Sequence, residues 1–303
     1  MMLVTYDDRG TQAVGVREAD RVLGLATLGP EAPRTMNDLI DAWPRWGAPV
    51  RDLATRLRKD PQVGTTLAEV RLLAPIPRPR RNPFLIAGNY MAHVLAGEKA
   101  TGIPLSQRKT AIFFSKPSGA VIGPDATIEY ETRWTQKVDW ECELVVVIGT
   151  TGRDIPVERA MEHVFGYTIG NDVSARDIQI QKPTSDFMRG KGMDTFFPIG
   201  PGIVLRDDYG DYHARRLRLS VNGERKQDGT LGEMTRDVPE IIAELSRGLT
   251  LEAGDMIATG TPSGVANESP DPQWLKDGDI VLCEIEGIGT LTNRVRALEG
   301  GAG

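Results

Sequence analysis

A run of alternating acidic and apolar residues at 138–148 is the strongest chemical pattern in the sequence. Alternate side chains of a strand point to opposite faces, so Asp139, Glu141 and Glu143 would share one face. Two neighbouring glutamates repel each other unless water, a proton or a cation separates them. Valines follow on the same face, which favours a bound cation, but a solvated edge strand with an acidic outer face explains the alternation equally well. The pattern alone leaves both interpretations open.

A second polar cluster, at 172–179, follows an apolar segment that is typical of a buried strand. Asp172, Arg176 and Gln179 are spaced by four and three residues, which would place them on one face of a helical turn. Taken alone, this cluster fits better with Asp172 as a helix N-cap that pairs locally with Arg176. Lys191, between two glycines, could approach a ligand or lie in a surface turn.

Two further segments carry groups that could contact a ligand. The turn at 259–264 is rich in small residues, and its hydroxyls and amides, including Thr261, could hold a carboxylate or phosphate oxygen. It lacks the lysine and the spacing of a P-loop, so nucleotide binding is disfavoured. His93 follows a predicted strand and a glycine, and a lone histidine is more often structural than catalytic.

Composition restricts both the metal and the partners of the chain. Two cysteines, and three histidines without H-E-x-x-H spacing, exclude a thiolate zinc site and a zincin-type site. A bound metal would take carboxylate ligands, which favours the hard ions magnesium, manganese and calcium. With 42 Asp and Glu against 36 Lys and Arg, the charge gives no reason to expect a nucleic-acid partner. No apolar run approaches the roughly 20 residues of a membrane span, and the low cysteine content indicates a cytoplasmic protein.

The elements that must position these residues are predicted to be mostly strands. Gly (33) and Pro (20) are spread among short apolar runs, which predicts a mainly β fold with few helices, of the α+β class. Four prolines in ten residues predict a stiff linker. The predicted units are a small N-terminal α+β unit at 1–73, the proline-rich linker at 74–83, a strand-dominated main domain at 84–298 and a tail at 299–303. Helices are predicted at 35–45, 49–58, 156–165 and 237–247.

Several short motifs follow one another in a fixed order between residues 84 and 296. They include Gly88-Asn89-Tyr90-x-x-His93, Phe114-x-Lys116-Pro117, Asp139-x-Glu141-x-Glu143-Leu144, Asn171-Asp172-Val173-Ser174-x-Arg176-Asp177-x-Gln179, Lys191-x-x-Asp194 and Thr259-Gly260-Thr261-Pro262-x-Gly264. In this order the chain resembles the fumarylacetoacetate hydrolase family, in its acylpyruvase-like and 2-hydroxyhepta-2,4-diene-1,7-dioate isomerase-like branch. The leading segment resembles the variable N-terminal unit that many members carry.

The resemblance implies a mixed β-sandwich or rolled sheet and a homodimer. Three carboxylates would bind Mg²⁺ or Mn²⁺, with Ca²⁺ in some members, and the matching positions are Glu141, Glu143 and Asp172. This match favours the cation interpretation of the acidic strand. The substrate would be a small 2-oxo or 1,3-dicarbonyl acid, and the matching substrate-binding positions are Arg176, Gln179, Thr261, Lys116 and Tyr90.

The resemblance also implies the chemistry. Lys191 would stabilise developing charge, and His93, on a mobile lid, would activate water. The predicted activity is hydrolysis of a C–C bond in an acylpyruvate-like or fumarylacetoacetate-like acid through a metal-bound enolate, in aromatic catabolism. Many members place a glutamate three residues after the lid histidine, but this chain has Ala96 there, and Glu98 is the nearest acid that could take the role. The alternative activity is isomerisation or decarboxylation of a 2-oxo acid, such as oxaloacetate, on the same metal site.

Overall fold

The structure, a computed structural model, describes residues 1–60, 62–102, 110–181 and 184–299. Within these ranges strands dominate and helices are few and mostly short, which confirms the predicted mainly β fold. The tail predicted at 299–303 lies outside the described residues, apart from its first residue.

The elements are numbered in chain order. The strands are β1 Met2–Asp8, β2 Thr11–Glu18, β3 Arg21–Gly24, β4 Thr65–Thr66, β5 Arg71–Leu72, β6 Phe84–Ala87, β7 Ile112–Ser115, β8 Val121–Ile122, β9 Thr127–Glu131, β10 Val138–Asp139, β11 Cys142–Ile148, β12 Gly152–Arg153, β13 Val164–Asn171, β14 Ser174–Ala175, β15 Ile180–Gln181, β16 Thr184–Ser185, β17 Phe197–Leu205, β18 Arg216–Val221, β19 Glu224–Thr230, β20 Thr250–Leu251, β21 Met256–Ala258, β22 Ile280–Ile285 and β23 Gly289–Leu298. The α-helices are α1 Met36–Asp41, α2 Trp43–Lys59, α3 Met91–Thr101, α4 Arg176–Gln179, α5 Phe187–Lys191, α6 Arg206–Tyr209 and α7 Val238–Leu245. Short 3-10 helices cover Leu25–Leu28, Leu67–Glu69, Ser118–Ala120, Val157–His163, Leu231–Glu233 and Ala266–Glu268. Among the described helices, none combines the length and the apolar character needed to cross a membrane.

Two mixed sheets form the body of the fold. The large sheet has the order β4-β3-β2-β1-β17-β13-β11-β21-β6-β7, with β5 also paired to β1 and β8 to β17. The smaller sheet has the order β19-β18-β22-β23-β9. Strands β11 and β13 therefore lie in the interior of the large sheet, where both faces are covered and hydrophobic residues run almost without interruption.

The two faces of β11 pack into different hydrophobic cores, as the alternation predicts. Cys142, Leu144 and Val146 belong to the core that also contains Leu217 and other residues of the smaller sheet. The side chains between them, such as Val145, belong to the second core, which includes residues of the N-terminal helices. The strand is thus buried on both sides, and the solvated edge-strand interpretation of its acidic residues is wrong.

Several predicted elements differ from the structure in their type or bounds. The helices predicted at 35–45 and 49–58 are α1 Met36–Asp41 and α2 Trp43–Lys59, so the break between them lies at Ala42. The strand predicted over 138–148 is interrupted at Trp140 and Glu141. The Glu141 N–H donates to the Asn171 side-chain Oδ1 at 3.0 Å and not to a backbone carbonyl of the neighbouring strand. The helix predicted at 156–165 is the 3-10 helix Val157–His163. It ends early because Val164 already begins β13, all eight residues of which are buried in the large sheet.

The N-terminal strands extend the large sheet and do not form a sheet of their own. β1 pairs antiparallel with β17, with Met2 opposite Val204 and Leu3 opposite Ile203. The division of the chain into separate units therefore stays a prediction from the sequence, while the sheet itself is continuous across the leading segment and the main domain.

Candidate active site

Two adjacent strands of the large sheet bring three carboxylates together. β11 and β13 are antiparallel neighbours with Cys142 opposite Asn171, so Glu141 and Glu143 flank this pair and Asp172 follows it. An oxygen of each of the three carboxylates lies within 4.8 Å of the other two, and all three side chains are buried. The register that the hydrophobic strands fix therefore assembles the three metal ligands that the sequence predicts.

Three cations surround this carboxylate cluster. The Lys191 Nζ donates to Glu141 Oε2 at 2.7 Å and to Asp172 Oδ2 at 2.6 Å. The Arg176 Nη2 donates to Glu141 Oε1 at 2.7 Å, and the Lys116 Nζ lies 2.5 Å from Asp172 Oδ1. These charge-assisted contacts fix the orientation of two of the three carboxylates.

Burial and neighbouring charges separate the two glutamates. Burial raises the pKa of the Glu143 carboxyl well above its usual value, and the Asp172 and Glu141 carboxylates raise it further. Burial acts on Glu141 in the same direction, but the Lys191 ammonium and the Arg176 guanidinium outweigh it and lower the pKa of that carboxyl. Glu143 is therefore the member of the cluster that needs a further cation in order to stay ionised.

The charges and open acceptors of the cluster fit a divalent cation. Asp139 also pairs with Arg176, so four buried carboxylates face three buried cations in this region. One divalent ion would balance the excess negative charge and leave a net positive site for an anionic ligand. Asp172 Oδ1 accepts no hydrogen bond from the described residues, although Lys116 lies beside it. The donor set consists of oxygens, as Mg²⁺ and Mn²⁺ prefer.

The carboxylate cluster lines a pocket of about 780 Å³, a volume that includes its open mouth. The polar residues that line it besides the three carboxylates include His93, Arg176, Gln179, Lys191, Thr261 and Glu268. One wall is aromatic, because the rings of Phe114 and Phe187 stack with their centroids 4.9 Å apart. The Lys191 Nζ lies 5.5 Å from the centroid of the Phe114 ring.

His93 lies on α3 at the pocket and contacts a carboxylate from a distant part of the chain. Its Nδ1 is 2.5 Å from Glu268 Oε1, in the 3-10 helix Ala266–Glu268. The other oxygen of Glu268 accepts the Gly264 N–H at 2.7 Å. The sequence offers Glu98 as a candidate partner of His93, which stays a prediction. The partner that the structure shows at Nδ1 is Glu268. No local spacing could have indicated a partner 175 residues away.

Gln179 and Thr261 lie on the pocket, but part of their hydrogen-bonding capacity is already used. Gln179 Oε1 accepts from the Arg176 Nη1 at 2.9 Å. The Thr261 Oγ1 donates to the Cys142 carbonyl at 2.8 Å and accepts from the Gln227 side chain at 2.8 Å. Thr261 therefore anchors the glycine-rich turn to β11, and its neighbour Gly260 also lines the pocket.

Lys116 and Tyr90, predicted to bind substrate, are fully buried and are not among the described residues that line the pocket. The Lys116 Nζ donates to the Val173 and Phe196 carbonyls at 3.0 and 2.6 Å, behind Asp172. Burial lowers the pKa of the Lys116 ammonium to about 8, although the Asp172 carboxylate opposes this shift. In this geometry Lys116 contacts Asp172 from behind the pocket, and a role in substrate binding stays a prediction.

Three buried carboxylates among lysine and arginine side chains line a pocket at the large β-sheet, and together they fit a divalent-cation site. A family model makes the assignment specific: the fumarylacetoacetate (FAA) hydrolase C-terminal model matches residues 83–296. The chain belongs to the fumarylacetoacetate hydrolase family, which confirms the resemblance seen in its motifs, and it is an enzyme of that family.

Similar proteins of known name carry several activities. The chain is 38% identical to oxaloacetate tautomerase YisK of Bacillus subtilis over 267 residues, 87% of each chain. It is similar in structure to fumarylacetoacetate hydrolase from Exiguobacterium antarcticum, with a TM-score of 0.81, 38% identity and coverage of 98% of this chain and 100% of the other. Maleylpyruvate hydrolase from Sphingobium sp. SYK-6, solved with manganese(II) and pyruvate, matches with a TM-score of 0.79, 27% identity and coverage of 98% and 99%.

Proposed function

We propose that this chain interconverts the enol and keto forms of a small 2-oxo diacid of the oxaloacetate type, with a divalent cation as cofactor. One observation carries the proposal: the carboxylate cluster shares a pocket with Lys191, Arg176 and the His93–Glu268 pair. The name of the Bacillus subtilis relative, which matches most of this chain, supports the same reaction. Isomerisation and decarboxylation, which the sequence offers as the alternative, thus have better support than hydrolysis.

The cations of the pocket would bind and orient the acid. Arg176 uses three N–H groups on Asp139, Gln179 and Glu141, and a guanidinium has five. Within the described part of the chain this leaves two donors for a ligand carboxylate. Burial alone would lower the pKa of the Lys191 ammonium, but the Asp172 and Glu141 carboxylates outweigh it and raise the pKa, so this cation stays charged beside the pocket.

Enol and keto forms differ in the position of one proton, which lies on the 2-oxygen in the enol and on C3 in the keto form. His93 is the group placed to move the proton at C3. Its Nδ1 is held by Glu268, so Nε2 is the atom left to exchange a proton with a ligand. The Lys191 ammonium would stabilise negative charge on the 2-oxygen while the proton is in transit.

The three carboxylates Glu141, Glu143 and Asp172 would hold the divalent cation, for which Mg²⁺ and Mn²⁺ are the proposed ions. When bound, such an ion would act as a Lewis acid and stabilise negative charge on the 2-oxygen of the acid. A homodimer and a cytoplasmic location, both predicted from the sequence, remain predictions.

The proposal is tested by following the ultraviolet absorbance of enol-oxaloacetate with purified protein and Mg²⁺ or Mn²⁺. We expect the enol to decay faster than in buffer, and chelation by EDTA to abolish the acceleration. Lys191→Met should reduce the rate by about 10²–10³-fold, because it removes the charge that faces the 2-oxygen. Lys276→Met, at an exposed lysine, is the matched control. An unaccelerated enol decay with both ions would overturn the proposal.

Hydrolysis of an acylpyruvate is the second candidate. The His93–Glu268 pair favours it, because a histidine oriented by a carboxylate can activate water. In the sequence, Ala96 replaces the usual partner of the lid histidine and so favours isomerisation or decarboxylation. Because Glu268 provides a carboxylate to His93, Ala96 is no argument against hydrolysis. Acetylpyruvate under the same conditions distinguishes the two: release of acetate and pyruvate with no effect on the oxaloacetate enol would favour hydrolysis.

A further inference from the structure

One buried carboxylate contacts both Arg176 and the loop that carries Glu268, and it has no role of its own in the function proposed above. Asp139, the second residue of β10, is 0% exposed. Its Oδ1 accepts the Trp140 and Ala266 N–H groups at 2.9 and 2.8 Å. Its Oδ2 accepts the Asn267 N–H at 3.0 Å and the Arg176 Nε at 2.8 Å. A buried carboxylate is expensive unless it is paired, and these four donors satisfy it.

On one side, Asp139 fixes the loop that carries the partner of His93. Ala266 and Asn267 are the first two residues of the 3-10 helix that ends at Glu268, and both of their amides donate to Asp139. Glu268 in turn reaches His93 Nδ1. The position of the proton-transfer pair therefore depends on a carboxylate that belongs to the same chain segment as the metal ligands.

On the other side, Asp139 fixes the cation that would bind the substrate carboxylate. It takes the Nε–H of Arg176, while Nη1 donates to Gln179 and Nη2 to Glu141. A guanidinium is planar, so a bond at Nε sets the plane in which the two remaining N–H groups point. Without Asp139, Arg176 would keep its bonds to Gln179 and Glu141 but lose the contact at Nε, and its guanidinium would be held less firmly.

We propose that Asp139 is a positioning residue for the proposed reaction: it holds Arg176 and the 264–268 loop in one fixed relation to the carboxylate cluster. Two groups that act on opposite parts of the substrate, the guanidinium and the His93–Glu268 pair, are thereby set by one side chain. The inference rests on the function proposed above, and it deepens that function by linking substrate binding to proton transfer.

A second buried aspartate, Asp255, contacts an arginine and a backbone N–H, as Asp139 does, but lies away from the pocket. Asp255 is 6% exposed, and its Oδ2 accepts from the Arg81 Nη1 at 2.9 Å and from the Glu252 N–H at 2.8 Å. Its backbone carbonyl bonds the Ile148 N–H, at the end of β11 opposite the metal ligands. Asp255→Asn thus breaks a buried aspartate–arginine contact and a loop contact, as Asp139→Asn does, without touching the site.

The test compares Asp139→Asn with Asp255→Asn in the full-length protein. Both should lower the melting temperature by a few degrees, about 2–6 °C. Only Asp139→Asn should raise KM for the 2-oxo acid and lower kcat, each by about tenfold or more, and only it should speed hydrogen exchange of the amides at 264–268. Its Mg²⁺ affinity, measured by calorimetry, should fall by less than the roughly 10–100-fold typical of a residue that contacts a metal ligand, since Asp139 contacts none of the three carboxylates. Asp139→Ser replaces Asp139→Asn if the latter does not fold.

A double-mutant cycle with Glu268→Gln separates positioning from a general loss of packing. If the two single losses of kcat were independent, the double variant would lose their product. If Asp139 acts through Glu268, the loss in the double variant should be smaller than that product by at least about fivefold. Additive effects, or equal kinetic losses in the Asp139 and Asp255 variants, would overturn the inference.

Calorimetry with oxalate and Mg²⁺ keeps the test independent of turnover. Weaker oxalate binding and faster exchange at 264–268 in Asp139→Asn would support positioning even if the wild type does not turn over oxaloacetate, and unchanged binding and exchange would overturn it.

Discussion

The carboxylate cluster and the His93–Glu268 pair face the same pocket but are built differently. Glu141, Glu143 and Asp172 are at most 5% exposed and come from two paired strands inside the large sheet. The side chains of His93 and Glu268 are 19% and 10% exposed and come from a helix and a 3-10 turn outside the sheet. One group is fixed by strand register, and the other depends on the packing of two segments that lie outside the sheet.

This difference separates the two tasks of the site. A cation-binding group must keep its geometry with and without ligand, and burial among charge-assisted contacts provides that rigidity. A proton-transfer group must admit the substrate and then close over it, and segments with few buried contacts move more easily. The comparison therefore predicts that changes to the cluster abolish metal binding, whereas changes to His93 spare it and reduce turnover.

The largest effect is expected at the cluster itself. Glu141→Gln, Glu143→Gln and Asp172→Asn should each weaken Mn²⁺ binding by at least about 100-fold, because each removes a charged ligand from a site with few water-exposed alternatives. Titration calorimetry with Mn²⁺ measures the loss. Glu158→Gln, at an exposed glutamate, is the control and should bind like the wild type. Unchanged affinity in all three variants would remove the cation site from the proposal.

A smaller and more selective effect is expected at the pair. His93→Asn should lower kcat by about 10²-fold or more, the usual contribution of general acid–base catalysis, and leave Mn²⁺ affinity within about threefold. His213→Asn is a matched control, since His213 also contacts a carboxylate, Asp211 Oδ1 at 2.7 Å, but on the surface. Loss of Mn²⁺ affinity in His93→Asn with kcat intact would show that the two groups do not divide the tasks in this way.

The two regions also show which parts of the site a sequence can predict. Glu141 and Glu143 alternate with buried residues, so local periodicity places them on one face, and family motifs identify Asp172, Arg176 and Lys191. Glu268 has no such signal, because its contact with His93 depends on how the 264–268 loop is held by Asp139. Lys116 shows a related limit: a motif position does not indicate whether a side chain faces the pocket or, as here, lies behind Asp172.

The fold shows the same limit. Strands and the amphipathic helix α7 follow from periodicity and capping, and the capping box at Asp237 is present. The boundary between the 3-10 helix Val157–His163 and β13 was not predictable, since the pairing of β13 inside the large sheet decides where the helix ends. Local pattern predicts element type here, whereas long-range pairing sets the bounds.

The smallest expected effect is a pH dependence of stability that comes from Glu143, the carboxylate of the cluster that no lysine or arginine among the described residues pairs with. The folded-state pKa of Glu143 is raised, so its contribution to stability is fully present below its usual value of 4.5 and is lost as pH rises through the folded pKa. Glu141 has a lowered pKa, and its contribution is lost only in acid. As pH rises from about 4.5 towards the folded pKa, the metal-free protein should therefore lose stability through Glu143, by at most about 1.4 kcal/mol per pH unit.

A divalent cation should reverse this loss, because it replaces the proton on Glu143. The increase in melting temperature on adding Mg²⁺ should thus be larger at the higher pH, and the wild type in EDTA should melt lower at about pH 8 than at about pH 6. Glu143→Gln in EDTA should show a weaker pH dependence, since its side chain does not titrate. If the melting temperatures of the wild type and Glu143→Gln depend on pH in the same way in EDTA, Glu143 is not the carboxylate that the ion keeps charged. The unbalanced charge then lies elsewhere in the cluster.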